Sequence, residues 1–235
     1  MVFLKFINFL CFFNKARELY KKDNKMSVKS DKKEYRQKAK NDIRNLALIK
    51  AKAAHYRAVD RLEKLIKFSG TRKILLYLPL DYEVDVCRLR RKLSKECEIF
   101  APFMVGLSLK MVKLRMPFIV HKFNVRQPLG RKTDKIRLDM AVVPVIGVDG
   151  TMARIGHGKG FYDRFFNTLP YRPKMIVFVQ IKDFFTSQIL TEKHDVRGDF
   201  YITPRKNYIK RGTYDRSFNR LRSRCGGSWR RISVC

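Results

Sequence analysis

Acidic residues are scarce in this 235-residue chain: 21 Asp and Glu stand against 53 Lys and Arg, for a formal net charge of +32 at pH 7. Such a field attracts nucleotides, nucleic acid or anionic lipid without choosing among them, so a nucleic-acid partner stays open on charge alone. Cysteine is sparse as well. Cys11, Cys87, Cys97, Cys225 and Cys235 are odd in number and scattered, and no two have Cys-x-x-Cys spacing. Structural zinc and dithiol redox chemistry therefore have no basis, and the thiols read as reduced ones in the cytoplasm. Long apolar runs are missing. Phe6 to Phe13 is apolar apart from Asn8, far short of the roughly 20 residues that cross a bilayer. Only Lys5 precedes it and no small-residue cleavage site follows, which argues against a secretory signal. With Lys15, Arg17, Lys21, Lys22 and Lys25 behind it, the segment reads either as an amphipathic membrane-surface element or as an upstream extension with Met26 as the natural start. There is no internal repeat, no long low-complexity tract, and no Ser-His-Asp or Cys-His pattern to supply a nucleophile.

What is present is core-forming capacity, 45% hydrophobic residues, at a length that suits one domain with extensions. One stretch stands out, Arg154-Ile155-Gly156-His157-Gly158-Lys159-Gly160-Phe161-Tyr162-Asp163-Arg164. It follows the apolar run Met140 to Gly147, which reads as a buried strand, and Phe161 onward reads as the start of a helix. A strand, a basic glycine turn and a helix start make an anion cradle, because free amides and the helix dipole both favour phosphate. Two common phosphate motifs are excluded. A P-loop needs Ser or Thr after Gly-Lys, where this chain has Gly160, and the dinucleotide fingerprint spaces its glycines differently.

From about Lys32 to Phe68 helix formers dominate, with Ile43, Leu46, Ala47, Ala54, Val59, Leu62, Leu65 and Ile66 at three- and four-residue steps. Lys73 to Leu78, Ile99 to Ala101, Lys110 to Leu114, Pro117 to Phe123 and Met175 to Val179 read as extended pieces, Asp85 to Lys95 as a short basic helix, and Gln127 to Gly130 as a loop. Strands alternating with helices predict a single α/β domain in three layers, a mostly parallel sheet with helices on both faces. After Pro204 the chain carries ten basic residues from Arg205 to Arg231 against one acid, Asp215. Segment 205–235 therefore reads as a disordered basic tail, either a solvated appendage or an RNA-binding arm.

The glycine-rich stretch resembles the signature of the 5-formyltetrahydrofolate cyclo-ligases, also called methenyltetrahydrofolate synthetases, and the resemblance recurs at separate places, in order, between residues 28 and 204. Residues 1–27 precede it. Lys32-Lys33-Glu34-Tyr35-Arg36 resembles the family's opening, in which Lys32 and Arg36 would serve ATP. At i, i+4 on a helix they point the same way. Leu78 to Asp85 resembles the segment whose glutamate, here Glu83, contacts the folate, although Glu83 also reads as a cap for the helix near Asp85. In His121 to Pro128, Phe123 matches the aromatic that packs on the folate rings, and it reads equally as a core residue. In the signature, Arg154, Gly156, Gly158, Lys159 and Gly160 match the phosphate cradle and Tyr162 the second tyrosine; Phe161 replaces the first, and His157 fills a variable position. Asp163 matches the aspartate implicated in magnesium binding, and also suits the first turn of a helix. His194 to Asp199 resembles the closing element and reads as architectural.

The resemblance implies the three-layer fold of the CoA-transferase type and a cytoplasmic, monomeric enzyme. It would convert 5-formyltetrahydrofolate to 5,10-methenyltetrahydrofolate, consuming ATP with magnesium and releasing ADP and phosphate. Arg154, Lys159 and Asp163 would be the catalytic set, Lys32, Arg36 and residues 156–163 would complete the ATP site, and Glu83, Phe123 and Tyr162 would place the folate. The alternative is a basic RNA-associated protein on the same fold without ligase activity.

Overall fold

In the computed structural model, which describes residues 30–46, 52–115, 118–121, 125–133 and 136–234, the amino-terminal part is helical: α1 (residues 30–46) and α2 (Lys52–Ser69). Then come β1 (Lys73–Leu75), a 3-10 turn (Val86–Arg88) running into α3 (Leu89–Leu93), β2 (Glu98–Val105), β3 (Ser108–Lys113), β4 (Phe118–His121), β5 (Val125–Pro128) and β6 (Lys132–Thr133). The second half holds β7 (Met140–Pro144), β8 (Gly147–Val148), β9 (Arg154–Ile155), α4 (Phe161–Thr168), β10 (Met175–Val179), β11 (Phe200–Ile202), β12 (Lys206–Lys210), α5 (Phe218–Cys225) and β13 (Ser228–Ile232). Residues 1–27 and Phe123 lie outside the described residues.

Nine strands form one sheet in the order β13-β12-β11-β10-β7-β1-β2-β3-β6. β1 runs parallel to β2 and β7, β10 parallel to β7 and β11, and β12 parallel to β13. The pairs β11–β12, β2–β3 and β3–β6 are antiparallel. Side chains alternate between the two faces, as a two-residue period requires. Ile74, Val142, Val177, Val179 and Ile202 face one way, into a core shared with Ala39 and Ile43 of α1, Ala58, Leu62, Leu65 and Ile66 of α2 and Leu221 of α5. Leu75, Ala141, Val143, Ile176, Phe178 and Tyr201 face the other way and pack with Phe165 of α4. This is the expected three-layer, mostly parallel α/β architecture. Burial on both faces explains why β7 and β10 read as unbroken apolar runs.

Two local expectations are corrected. Segment 205–235 is folded from Arg205 to Val234 rather than disordered: β12, α5 and β13 extend the sheet beyond β11. Its few apolar residues are spaced to be buried together. Asn207, Tyr208 and Ile209 line β12, Leu221 and Cys225 sit four apart on α5, Ile232 closes β13, and Trp229 meets Phe200 edge-on at 6.1 Å. The arginines occupy the outward positions, Arg216, Arg220, Arg222, Arg224, Arg230 and Arg231 all being exposed, so their number said nothing about what lies beneath. Gln127-Pro128, read as a loop, belongs to β5, which pairs with β4 in the register Ile119↔Gln127. The stretch from Lys32 to Phe68, where helix formers dominate, contains α1 and α2, with residues 47–51 outside the described part.

The sheet also fixes where a ligand belongs. From β1 the chain steps to β2 on one side, then returns to place β7 on the other. The gap above the carboxyl ends of β1 and β7 is thus a topological switch point, where open α/β sheets take their ligands. Leu78 to Glu83 follows β1, and the glycine-rich turn follows β7.

Candidate active site

A cavity of about 810 Å³ opens between these two segments, and Tyr82, Glu83, Arg154, His157, Lys159 and Tyr162 are part of its lining. Gly160 and Phe161 also line it.

The turn is held from below. β8 and β9 form a short antiparallel hairpin, Gly147↔Ile155 and Val148↔Arg154. At its tip the buried carboxylate of Asp149 accepts hydrogen bonds at Oδ1 from the amides of Thr151 and Ala153 and the Thr151 hydroxyl, at 2.7–3.1 Å. Its Oδ2 accepts from the amides of Leu190 and Thr191 and the Thr191 hydroxyl, at 2.5–3.1 Å. One side chain thereby fixes the loop that delivers Arg154 and ties it to a segment some 40 residues away. In the sequence Asp149 followed by Gly150 carries only the mark of a turn.

Arg154 itself is buried, 5% exposed. Its guanidinium lies 5.0 Å above the Tyr162 ring, and Nη1 is 3.9 Å from Oδ1 of Asp163. Nε and Nη1 have no hydrogen-bond partner. Buried donors are nearly always satisfied, and leaving one unmade costs about 1–3 kcal/mol, more when charged. The packing leaves no room for a side chain at residue 156: a Cβ on Gly156 would run into Nη2 of Arg154. Gly160 turns the chain into α4 at a φ of +68°, which L side chains rarely adopt.

α1 supplies the outer wall. The spacing that put Lys32 and Arg36 on one helix face also puts Tyr35 and Lys40 there. Nε of Arg36 donates to the Gly156 carbonyl at 2.8 Å, and Nζ of Lys40 donates to the His157 carbonyl at 3.4 Å. The Tyr35 hydroxyl donates to the Phe184 carbonyl at 2.6 Å. Lys32 is engaged elsewhere, 2.5 Å from Oδ2 of Asp195, which also accepts from the Glu192 amide at 2.7 Å. Arg36 is therefore brought to the glycine turn, whereas Lys32 joins it to the 192–195 segment.

Across the cavity, Glu83 is buried. Its Oε2 accepts from the Leu80 amide at 3.0 Å and closes the 80–83 turn, so it does not cap the helix near Asp85. Burial pushes its carboxyl up to about 7, against the partial opposition of that hydrogen bond and of Arg154. His157 Nε2 lies 4.0 Å from Oε1 of Glu83 and 2.9 Å from the Tyr82 hydroxyl. Burial, reinforced by Lys40, Arg154 and Arg36, lowers His157 to about 4, so the ring is neutral at pH 7. Tyr82 was not singled out in the sequence; only folding brings it against a residue 75 positions away.

Asp163 stands at the first turn of α4, its side chain 14% exposed, accepting the Val196 amide at 3.3 Å. Among the described residues no three His, Cys, Asp or Glu side chains gather into a metal cage. A single carboxylate beside a phosphate cradle nevertheless suits magnesium, which takes one or two carboxylates and completes its shell with phosphate oxygens and water. Among the described residues no helix is long and apolar enough to cross a membrane.

Comparison with known proteins bears on the family and the fold. The sequence model of the 5-formyltetrahydrofolate cyclo-ligase family matches residues 28–204. The chain belongs to that family. Over 156 residues it is 34% identical to the 5-formyltetrahydrofolate cyclo-ligase of Mycolicibacterium smegmatis, a match covering 61% of this chain and 79% of that protein. The fold is similar to that of the Aquifex aeolicus 5,10-methenyltetrahydrofolate synthetase, with a TM-score of 0.61 at 23% identity over 74% of this chain and 89% of the other. It is also similar to that of the Mycoplasma pneumoniae enzyme of the same name, with a TM-score of 0.56 at 17% identity over 74% and 99%. At these identities the two structures speak for the fold alone. The RNA-associated alternative finds no support among the matches.

Proposed function

We infer that this cyclo-ligase family member converts 5-formyltetrahydrofolate to 5,10-methenyltetrahydrofolate, consuming ATP and releasing ADP and phosphate. The observation that carries the reading is Arg154, a buried guanidinium with two unpartnered donors, at a glycine turn beside a cavity that also holds a buried carboxyl. A phosphoryl group satisfies such donors, and charge-assisted bonds of this kind are among the strong ones.

Chemically, the formyl oxygen is a poor leaving group until it is phosphorylated. The oxygen attacks the γ-phosphorus, the bond to ADP breaks, and the neighbouring amine nitrogen then adds to the formyl carbon. Phosphate leaves with the C–O electron pair, and the amine proton goes to a base. No side-chain nucleophile is required, so catalysis is positioning and charge neutralisation. Arg154 and Lys159 would steady the transferred phosphoryl, with Arg36 and the backbone of Gly156 to Gly160 around the rest of the nucleotide, and Lys32, held by Asp195, would support α1 from outside that turn. Asp163 would hold magnesium, which when bound neutralises charge on the phosphate oxygens. Glu83, Phe123 and Tyr162 would place the folate, and a carboxyl poised near pH 7 suits the proton that the amine must lose.

The test is direct. Purified protein mixed with 5-formyltetrahydrofolate and Mg-ATP is expected to raise the absorbance of the methenyl product. Asp163→Asn, which keeps an acceptor for the Val196 amide, should lower the rate at least 100-fold while leaving the melting temperature near that of wild type. A well-folded wild type that makes no product would overturn the assignment.

A further inference from the structure

Gln127 sits fully buried on β5 and lines the same cavity as Glu83 and Arg154. Both Oε1 and Nε2 of its carboxamide are shielded and have no hydrogen-bond partner. Apart from Arg154, no other described residue has buried side-chain polar atoms in this condition. A carboxamide without partners on both atoms is costly, and an apolar residue of the same shape would pack there without that cost. The neighbouring lining is apolar, with Pro102 and Met104 from β2, Leu109 from β3, Val120 from β4 and Pro144 from β7. Gln127 is thus a buried, uncharged donor–acceptor pair among these apolar residues, while the cations that line the cavity are Lys40 of α1, Arg126 beside it on β5, Arg154 of β9 and Lys159 of the glycine turn.

We propose that Gln127 is a specificity-determining residue that reads the amide edge of the folate ring system. The proposal rests on the ligase reading above. A pterin is flat and largely apolar on its faces, and on one edge it carries an N–H beside a carbonyl. A primary carboxamide is complementary to that edge: Oε1 accepts from the ring N–H and Nε2 donates to the ring carbonyl, forming two parallel hydrogen bonds. Phosphate suits the Gln127 carboxamide poorly, because it presents only acceptors and would leave Oε1 unpaired. The cavity therefore separates its two substrates by chemistry, with the nucleotide phosphates toward Arg154 and the uncharged heterocycle toward Gln127. A site built to hydrogen-bond a polar edge also rejects analogues lacking it, since its own polar atoms are then left unpaired.

The experiment is calorimetric titration of wild type, Gln127→Met and Gln127→Glu with 5-formyltetrahydrofolate and, separately, with Mg-ATP. In Gln127→Met the folate dissociation constant is expected to rise about 10- to 100-fold, the loss of two buried hydrogen bonds, with the ATP constant within about twofold of wild type. Gln127→Glu keeps the shape but replaces the amide NH₂ by a titratable carboxyl oxygen, so it should also weaken folate and spare ATP. Because an unsatisfied group is removed, the melting temperature of ligand-free Gln127→Met should equal or exceed that of wild type. Unchanged folate affinity in both variants, or an equal loss for folate and ATP, overturns the proposal. If wild type turns over and the variants match it in folate KM, only the role of Gln127 falls; if wild type neither binds folate nor turns over, the ligase reading falls with it.

Discussion

Replacing Glu83 by Gln is expected to make the protein more stable and less active. Wild-type Glu83 is buried and pushed from its ordinary 4.5 to about 7. The folded protein holds this proton more tightly than the unfolded chain, so between pH 4.5 and 7 the unfolded state ionises first and wild-type stability declines with rising pH, levelling off above 7. At about 1.4 kcal/mol per pH unit the full penalty is roughly 3 kcal/mol, and about 2–3 kcal/mol of it accrues between pH 5 and 8. A glutamine keeps the acceptor that the Leu80 amide uses and removes the ionisation. His157, lowered to about 4, acts in the opposite direction below pH 6.5, but it is common to both proteins and drops out of their difference. Urea denaturation at half-unit steps from pH 5 to 8 should show the advantage of Glu83→Gln growing by about 2–3 kcal/mol, with equal m-values, while its turnover drops at least tenfold. An advantage that stays flat across that range would refute the reasoning, because it would mean that the carboxyl ionises at its ordinary pH in the folded protein.

Two further predictions concern the turn. Arg154→Met should lose ATP binding yet melt no lower than wild type, since it exchanges a buried guanidinium with unpartnered donors for an apolar chain of similar length. Saturating ATP, at about 100 times its Kd, should stabilise wild type by roughly 2.7 kcal/mol and the variant not at all; an ATP-induced melting shift that survives in the variant would remove Arg154 from the site. Asp149→Asn should cost about 3 kcal/mol in urea denaturation, because the carboxamide NH₂ cannot accept the three bonds now made to one carboxylate oxygen. A loss below about 1 kcal/mol would show that the hairpin carrying Arg154 does not depend on it.

Much of the architecture was legible because burial on both faces writes itself as apolar runs: Met175 to Val179 is the strand that its composition predicted. The glycine turn was legible for the same local reason, a strand followed by three alternating glycines and cations. What local pattern could not reveal were residues whose meaning depends on distant partners. Asp149 looks like a turn aspartate until Leu190 and Thr191 fold against it. Gln127, followed by Pro128 and Gly130, carries the marks of a loop, and only its pairing with Ile119 puts it in a wall of the cavity. Phe123 was named from resemblance and lies outside the described residues. The folded carboxyl-terminal segment was hidden by its own arginines, since a strand or short helix needs only one buried face and leaves the other free to carry charge.

That last point bears on specificity. A net charge of +32 gathers anions near the protein, but its reach is about 8 Å at physiological ionic strength, and the arginines of α5 and β13 are exposed to that screening. The candidate site works differently. Arg154 is shielded, 5% exposed, and its nearest carboxylates are limited to Asp163 at 3.9 Å and a Glu83 that burial keeps close to half-protonated at neutral pH. On the proposed reading, selection for a phosphoryl group would come from a few shielded donors, whose hydrogen bonds count for more than those on the surface. On that reading the surface field would set how fast anions arrive, and the buried turn which of them stay.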